Sequence, residues 1–232
     1  MKRIGFIGAY DKTDMIINIA KILTVMGKKV IVVDSTIIQK AKYVVPVINP
    51  TVTYVTEFEE IDVAVGFNKE NEIKNYLGIN ENDELPYDIM LIDTDTYERI
   101  EEFNLLEAER NYFVTSFDVY SLKKGLEILS TLKKPMSLTK ILYSKDILKE
   151  EDDYLNFLSL GYKVIWNDYR IYFPIENGDL SVLAENQRVA KIKFKRLSMQ
   201  YKDSLIFIVA DILRDVSENQ IRKTVKTIER GV

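Results

Sequence analysis

Short apolar runs alternate with segments of helical apolar spacing along most of this chain. Arg3 to Gly8 (RIGFIG) reads as an apolar strand ending in glycine. From Lys12 to Met26 the apolar positions Ile16, Ile19, Ala20 and Leu23 fall on one helical face, and Gly27 supplies the stop. Lys29 to Val33 (KVIVV) is a continuous apolar strand of the kind buried on both faces, closing on Asp34. The alternation continues with strands at Ile61–Phe67, Tyr87–Asp93, Tyr112–Thr115, Leu138–Tyr143 and Ile171–Phe173. Helices are predicted at Lys69–Leu77, Val119–Leu132, Asp179–Gln187, Leu197–Leu213 and Ser217–Arg230. This pattern predicts an α/β protein with a doubly wound, mostly parallel sheet flanked by helices. Ser35 to Thr56 follows neither period. Its Val, Ile, Thr and Tyr content suits edge strands or a β-ribbon, with Pro46 and Pro50 at an edge or in turns.

The 232 residues carry no Pro/Gly/Ser-rich linker, so one α/β domain over 1–232 is expected, with 217–232 as a carboxy-terminal amphipathic helix. The sequence has no cysteine and no histidine, which excludes thiol nucleophiles, disulfides, Cys/His zinc sites and histidine-based triads. Chemistry here rests on Asp, Glu, Lys, Arg, Ser, Thr or Tyr. Met1-Lys2-Arg3 leads directly into a strand without an apolar leader, and Leu205–Leu213 is too short to span a bilayer. A cytoplasmic protein is expected. The net charge of −4 hides an asymmetry: 17 acidic against 4 basic residues from Pro50 to Arg110, then 5 against 11 from Gln187 to Val232. Two solvated faces explain that split; a basic surface for an anionic partner is the sharper reading.

A strand ending in Gly8, a short loop, and Lys12-Thr13 opening a helix form the layout of a phosphate-binding loop. There, loop amides point at phosphate, the lysine adds charge and the threonine hydroxyl holds magnesium. Segment Ile4–Leu23 resembles the first strand, loop and helix of the ParA/MinD (SIMIBI-class) P-loop ATPases, whose loop reads KGGVGKT followed by N-L-A. Registering Asn18-Ile19-Ala20 on N-L-A sets Lys12 on the phosphate lysine, Thr13 on the magnesium threonine and Gly8 on the first glycine. Ile7, Ala9 and Asp11 replace the group's extra lysine, second glycine and last glycine. An Asp11 carboxylate falls where phosphate oxygens would sit, and it suits a helix N-cap instead.

Further landmarks match in order. Asp34 stands at the family's second-strand aspartate, although Thr36 replaces a second one. Tyr87–Thr94 resembles the Walker B strand, with Asp95-Thr96 in place of two prolines. Asn111–Gly125 resembles the next strand and helix, and Phe173–Gln187 the segment where adenine docks. The resemblance implies nucleotide phosphate at Gly8, Asp11, Lys12 and Thr13, magnesium at Thr13, Asp34 and Asp93, and adenine at Pro174, Ile175 and Glu176, if ATP and magnesium are retained at all. No catalytic residue is assigned. Against each stands a plainer role: a solvated helix start for Lys12, a helix hydroxyl for Thr13, structural hydrogen bonds for Asp34 and Asp93. In the last helix Ile221, Val225 and Ile228 share a face flanked by Arg222, Lys223, Lys226 and Arg230, which suits packing on the sheet or a partner helix better than a membrane surface. The resemblance is nearest in kind to CpaE/TadZ-type relatives. It implies a degenerate, weak or inactive ATPase working as a homodimeric scaffold in a larger pilus, secretion or partition assembly. An active magnesium-dependent ATPase switch, and a membrane or nucleic-acid binder acting through the basic tail, are the alternatives.

Overall fold

The strands are β1 (Lys2–Ile7), β2 (Val30–Asp34), β3 (Tyr54–Phe58), β4 (Ile61–Val65), β5 (Ile89–Thr94), β6 (Arg110–Ser116), β7 (Met136–Ser144) and β8 (Val164–Pro174) in a computed structural model that describes residues 1–48, 51–144, 149–174 and 176–231. They form one eight-stranded sheet in the order β3-β4-β2-β5-β1-β6-β7-β8. All neighbours are parallel except β3 and β4. The helices are α1 (Thr13–Val25), α2 (Ala41–Val44), α3 (Glu70–Tyr76), α4 (Tyr97–Glu102), α5 (Val119–Ser130), α6 (Lys149–Leu158), α7 (Asn177–Val189), α8 (Met199–Leu213) and α9 (Glu218–Arg230).

The central strands are apolar throughout because both faces are covered. Along β2, Val30 and Val32 enter one core while Ile31 and Val33 enter the other. Along β5, Ile89 and Leu91 face the first core, and Met90 and Ile92 the second. The first core is closed by α1, α7, α8 and α9, the second by α3, α4, α5 and α6. The strand period of two therefore carries Asp34 and Asp93 onto the α1 face, where their Cα positions are register partners.

Ser35–Thr56 resolves into the single turn of α2 and the start of β3, which pairs with β4 as an antiparallel ribbon at the sheet edge. Pro50 lies outside the described residues. The pattern did not reveal α4 or α6, and β8 is longer than its predicted core Ile171–Phe173. Gly27, at φ +82, closes α1 while Lys28 N donates to the Leu23 carbonyl.

A capping box at Ser217 and Gln220 starts α9. Its apolar stripe, Ile221, Val225 and Ile228, is buried against the core that α1 and α8 share. The stripe is thus covered within the chain, and the face left outward is the basic one that includes Lys223 and Lys226. No helix among the described residues is long and apolar enough to cross a membrane. We expect Ile221→Ala to cost about 2–5 kcal/mol in urea unfolding. Lys226→Ala should stay within about 0.5 kcal/mol. The reverse order would mean that α9 does not pack as described.

Candidate functional site

The sheet's connections reverse between β1 and β5: β1 leads through α1 to one side, and β5 leads through α4 to the other. Such a switch point leaves a crevice at the strands' carboxyl ends. A cavity of about 290 Å³ lies there, bordered by the β1–α1 loop, Thr36, Ile38, Lys40, Asp93 and Asp95. It brings Gly8, Asp11, Lys12 and Thr13 of that loop together with Asp93, some eighty residues on in the sequence.

Gly8 makes the close turn of the loop. Its φ is +142, and a Cβ there would overlap the Val114 carbonyl oxygen of β6. Lys12 is only 3% exposed, which overturns its reading as a solvated helix-start residue. Its ammonium turns back to donate to the Gly8 carbonyl at 2.7 Å and to pair with Asp93 Oδ1, also at 2.7 Å. Both members of the pair are shut from water, at 3% exposure each. Burial pushes the Asp93 carboxyl up to about 7, Lys12 opposing the rise and Asp34 adding to it.

Lys12 rather than Asp11 is the N-cap residue of α1 and makes no side-chain cap bond; Asp11, one residue earlier, still accepts from the Thr13 amide at 3.2 Å, filling one of the donor sites that a helix start leaves open. Lys40 binds that carboxylate at 2.5 Å and Asp14 at 2.9 Å. Burial disfavours the charge on Lys40, but Asp14 and Asp11 outweigh it and hold the ammonium pKa above its ordinary value. Asp34 faces the loop rather than the cavity. It accepts from Thr36 N, Thr36 Oγ1 and Ala41 N at 3.1, 2.6 and 2.8 Å. Asp95 accepts from Ile37 N at 3.0 Å, so two aspartates tie the 35–41 segment across the cavity mouth. Among the described residues, no group of three or more potential ligands is placed to hold a metal ion.

Pro174 and Glu176 border a second cavity beyond Tyr10 and Asp11, and Ile175 lies outside the described residues. Ile7, standing where the resemblance expects a lysine, is fully buried in the second core. Ile221, Arg222, Val225, Lys226 and Ile228 lie on α9, in the outer helical layer. Sequence reasoning missed Lys40, Asp14 and Tyr10. Lys40 sits in the segment without periodicity, so nothing in the sequence tied it to Asp11, although Asp14 was readable as an acid in a helix's first turn.

Gly8→Ala combines a disallowed backbone angle with a clash against backbone, and should cost about 3 kcal/mol in equilibrium unfolding. Gly27→Ala meets no atom within 4 Å. It should cost only about 1 kcal/mol, from its backbone angle alone. Equal losses would show that the loop can move away from Val114.

No protein-family profile and no curated protein matches the sequence. The fold does recur among solved structures. In the MinC:MinD cell division protein complex of Aquifex aeolicus, a chain matches with TM-score 0.58 and 13% identity, over 94% of this chain and 97% of that one. A putative plasmid partition protein from Borrelia burgdorferi, bound to AMPPNP, matches with TM-score 0.57 and 12% identity, over 93% and 100%. A ParA family ATPase from Chlorobium tepidum matches with TM-score 0.54 and 15% identity, over 88% and 96%. At such identities the likeness bears on architecture. The chain has the ParA/MinD, P-loop NTPase-like fold.

Proposed function

We propose that this chain is a ParA/MinD-fold scaffold that positions or assembles other proteins, in machinery of the pilus, secretion or partition kind, with weak or no ATPase activity. The observation that carries the reading is the Asp11 carboxylate on the Thr13 amide, clasped by Lys40. A phosphate-binding loop works by presenting bare amides and a free lysine to an anion. In this chain an internal anion holds the helix amino terminus, and Lys12 is engaged with Asp93 and Gly8.

The cavity at the crevice has room for phosphates; its charge is what does not fit them. Asp11, Asp93 and Asp95 face it against Lys12 and Lys40. A phosphate oxygen about 4 Å from Asp11 would meet between about 1 and 4 kcal/mol of repulsion, depending on how much water screens the pair. Lys12 would also have to leave a buried partner, stranding the Asp93 charge. The residues present therefore do not suit a triphosphate with magnesium, and we derive no hydrolytic step. The proposed scaffold acts as a homodimer with protein partners in a single α/β domain, the arrangement in which CpaE/TadZ-type relatives would be its nearest counterparts. The rival reading, a working ATPase switch, draws on Lys12, Thr13 and Asp93 meeting at one cavity.

A thermal-shift titration with ATP and magnesium separates the two. Nucleotide at a hundred times its Kd would add about 2.7 kcal/mol of stability and raise the melting temperature. We expect no shift at millimolar ATP for the unaltered chain. Asp11→Gly should improve nucleotide affinity roughly tenfold or more, in keeping with the removed repulsion. A clear shift in the unaltered chain would support the rival.

A further inference from the structure

A second cavity, of about 80 Å³, lies on the far side of Tyr10 and Asp11 from the crevice. It sits among the amino-terminal ends of α1, α7 and α8 and the carboxyl ends of β7 and β8. Every charged residue lining it is acidic: Asp11, Asp14, Glu176 and Asp179. Its aromatic walls are Tyr10, Tyr143 and Tyr201. The Tyr10 and Tyr143 rings lie 4.5 Å apart, and Phe173 supports Tyr143 and Tyr201 from behind at 5.0 and 4.7 Å.

Converging helix amino termini would by themselves invite an anion, with about half a positive charge each. Here they are already answered. The Thr13 amide donates to Asp11, and the Ser198 amide and hydroxyl donate to Asp179. Even with Lys40 beside Asp11 and Asp14, four carboxylates outweigh one ammonium and three helix ends, so the cavity is negative. Capping accounts for Asp11 and Asp179, but not for two further groups. The Glu176 carbonyl accepts from the Leu180 amide at 3.1 Å, but its exposed carboxylate has no hydrogen-bond or ion-pair partner among the described residues. The Tyr143 side chain is 8% exposed and lines the cavity, yet its hydroxyl has no hydrogen-bond partner among the described residues. Burial, reinforced by Tyr201, Tyr10 and the carboxylates, holds that phenol well above its ordinary pKa, so it stays neutral and keeps a lone pair to offer.

We infer that this cavity receives the guanidinium of an arginine side chain presented by a protein partner, set against the Tyr10 ring and bonded to Glu176 and the Tyr143 hydroxyl. A guanidinium is flat, always charged, stacks on aromatic faces and carries five donors for carboxylate and hydroxyl oxygens. The volume holds one such head group. The source follows from the rim, where Leu180 is 51% exposed beside Glu176. A polypeptide would cover that apolar rim, and a free cation would not. The inference takes from the scaffold reading only the existence of a protein partner.

Nucleotide-free calorimetric and NMR titrations of the intact chain test it separately from ATP binding. The probes are N-acetyl-L-arginine methylamide, its uncharged isostere N-acetyl-L-citrulline methylamide, and spermidine. The arginine compound should bind with a Kd of about 1–10 mM and shift the Tyr10 and Tyr143 ring signals. The citrulline compound should bind at least roughly tenfold more weakly. Glu176→Gln should weaken the arginine compound about tenfold, and Tyr143→Phe about threefold with the ring retained. Both variants should keep the parent melting temperature within a few degrees, Glu176 being exposed and Tyr143→Phe removing one unbonded hydroxyl. Equal binding of the two isosteres, no binding at about 50 mM, or unchanged affinity in Glu176→Gln would overturn the assignment. Tighter binding of spermidine would reassign the cavity to a free polyamine and overturn it too.

Discussion

A helix that starts at the carboxyl end of a buried strand presents several backbone amides and a positive dipole end to one spot, and something negative must answer them. In this chain the answer is Asp11. Its carboxylate takes the Thr13 amide, and Lys40, carried by the segment that follows β2, takes the carboxylate. Because Lys40 also holds Asp14, one ammonium fastens the β1–α1 loop, the first turn of α1 and the approach to α2. Below this clasp lies the Lys12–Asp93 pair, shut from water on the α1 face of the sheet. The two contacts are coupled in position, since Lys12 directly follows Asp11. A loop whose lysine is drawn inward to Asp93 leaves its neighbour's carboxylate at the mouth.

The sheet makes this arrangement compulsory rather than incidental. Asp34 and Asp93 end adjacent parallel strands, and the two-residue period sends both toward α1. Two carboxylates so placed need separate solutions. Asp34 is given backbone and hydroxyl donors from the 35–41 segment, and Asp93 is given Lys12. Tying Asp34 into that segment also sets the segment that carries Lys40. The same residues that resemble a nucleotide site are thereby knitted into one polar network.

Most of the architecture was legible in the sequence because buried parallel strands write long apolar runs, and KVIVV and YDIMLID are such runs. The α1 face was legible from Ile16, Ile19, Ala20 and Leu23, and its end from Gly27. Short helices such as α2 and α4 were not, since one or two turns give no period to read. The candidate site was half legible. That Asp11 meets the amino terminus of α1 was readable from its place in the chain, but its position one residue before the N-cap and the depth of Lys12 were not. A lysine at a helix start looks solvated in sequence, and only the strand above it shows that it is covered. Lys40 was invisible for a different reason: its partners lie 26 and 29 residues away, across a segment without pattern.

The central claim concerns the occupant of one helix amino terminus, so the most direct measurement is a crystal structure grown in millimolar ATP and magnesium. The account predicts the Asp11 carboxylate on the Thr13 amide, Lys40 on Asp11, and Lys12 still against Asp93. A triphosphate lying along the 8–13 loop with the Lys12 ammonium on its oxygens would contradict it.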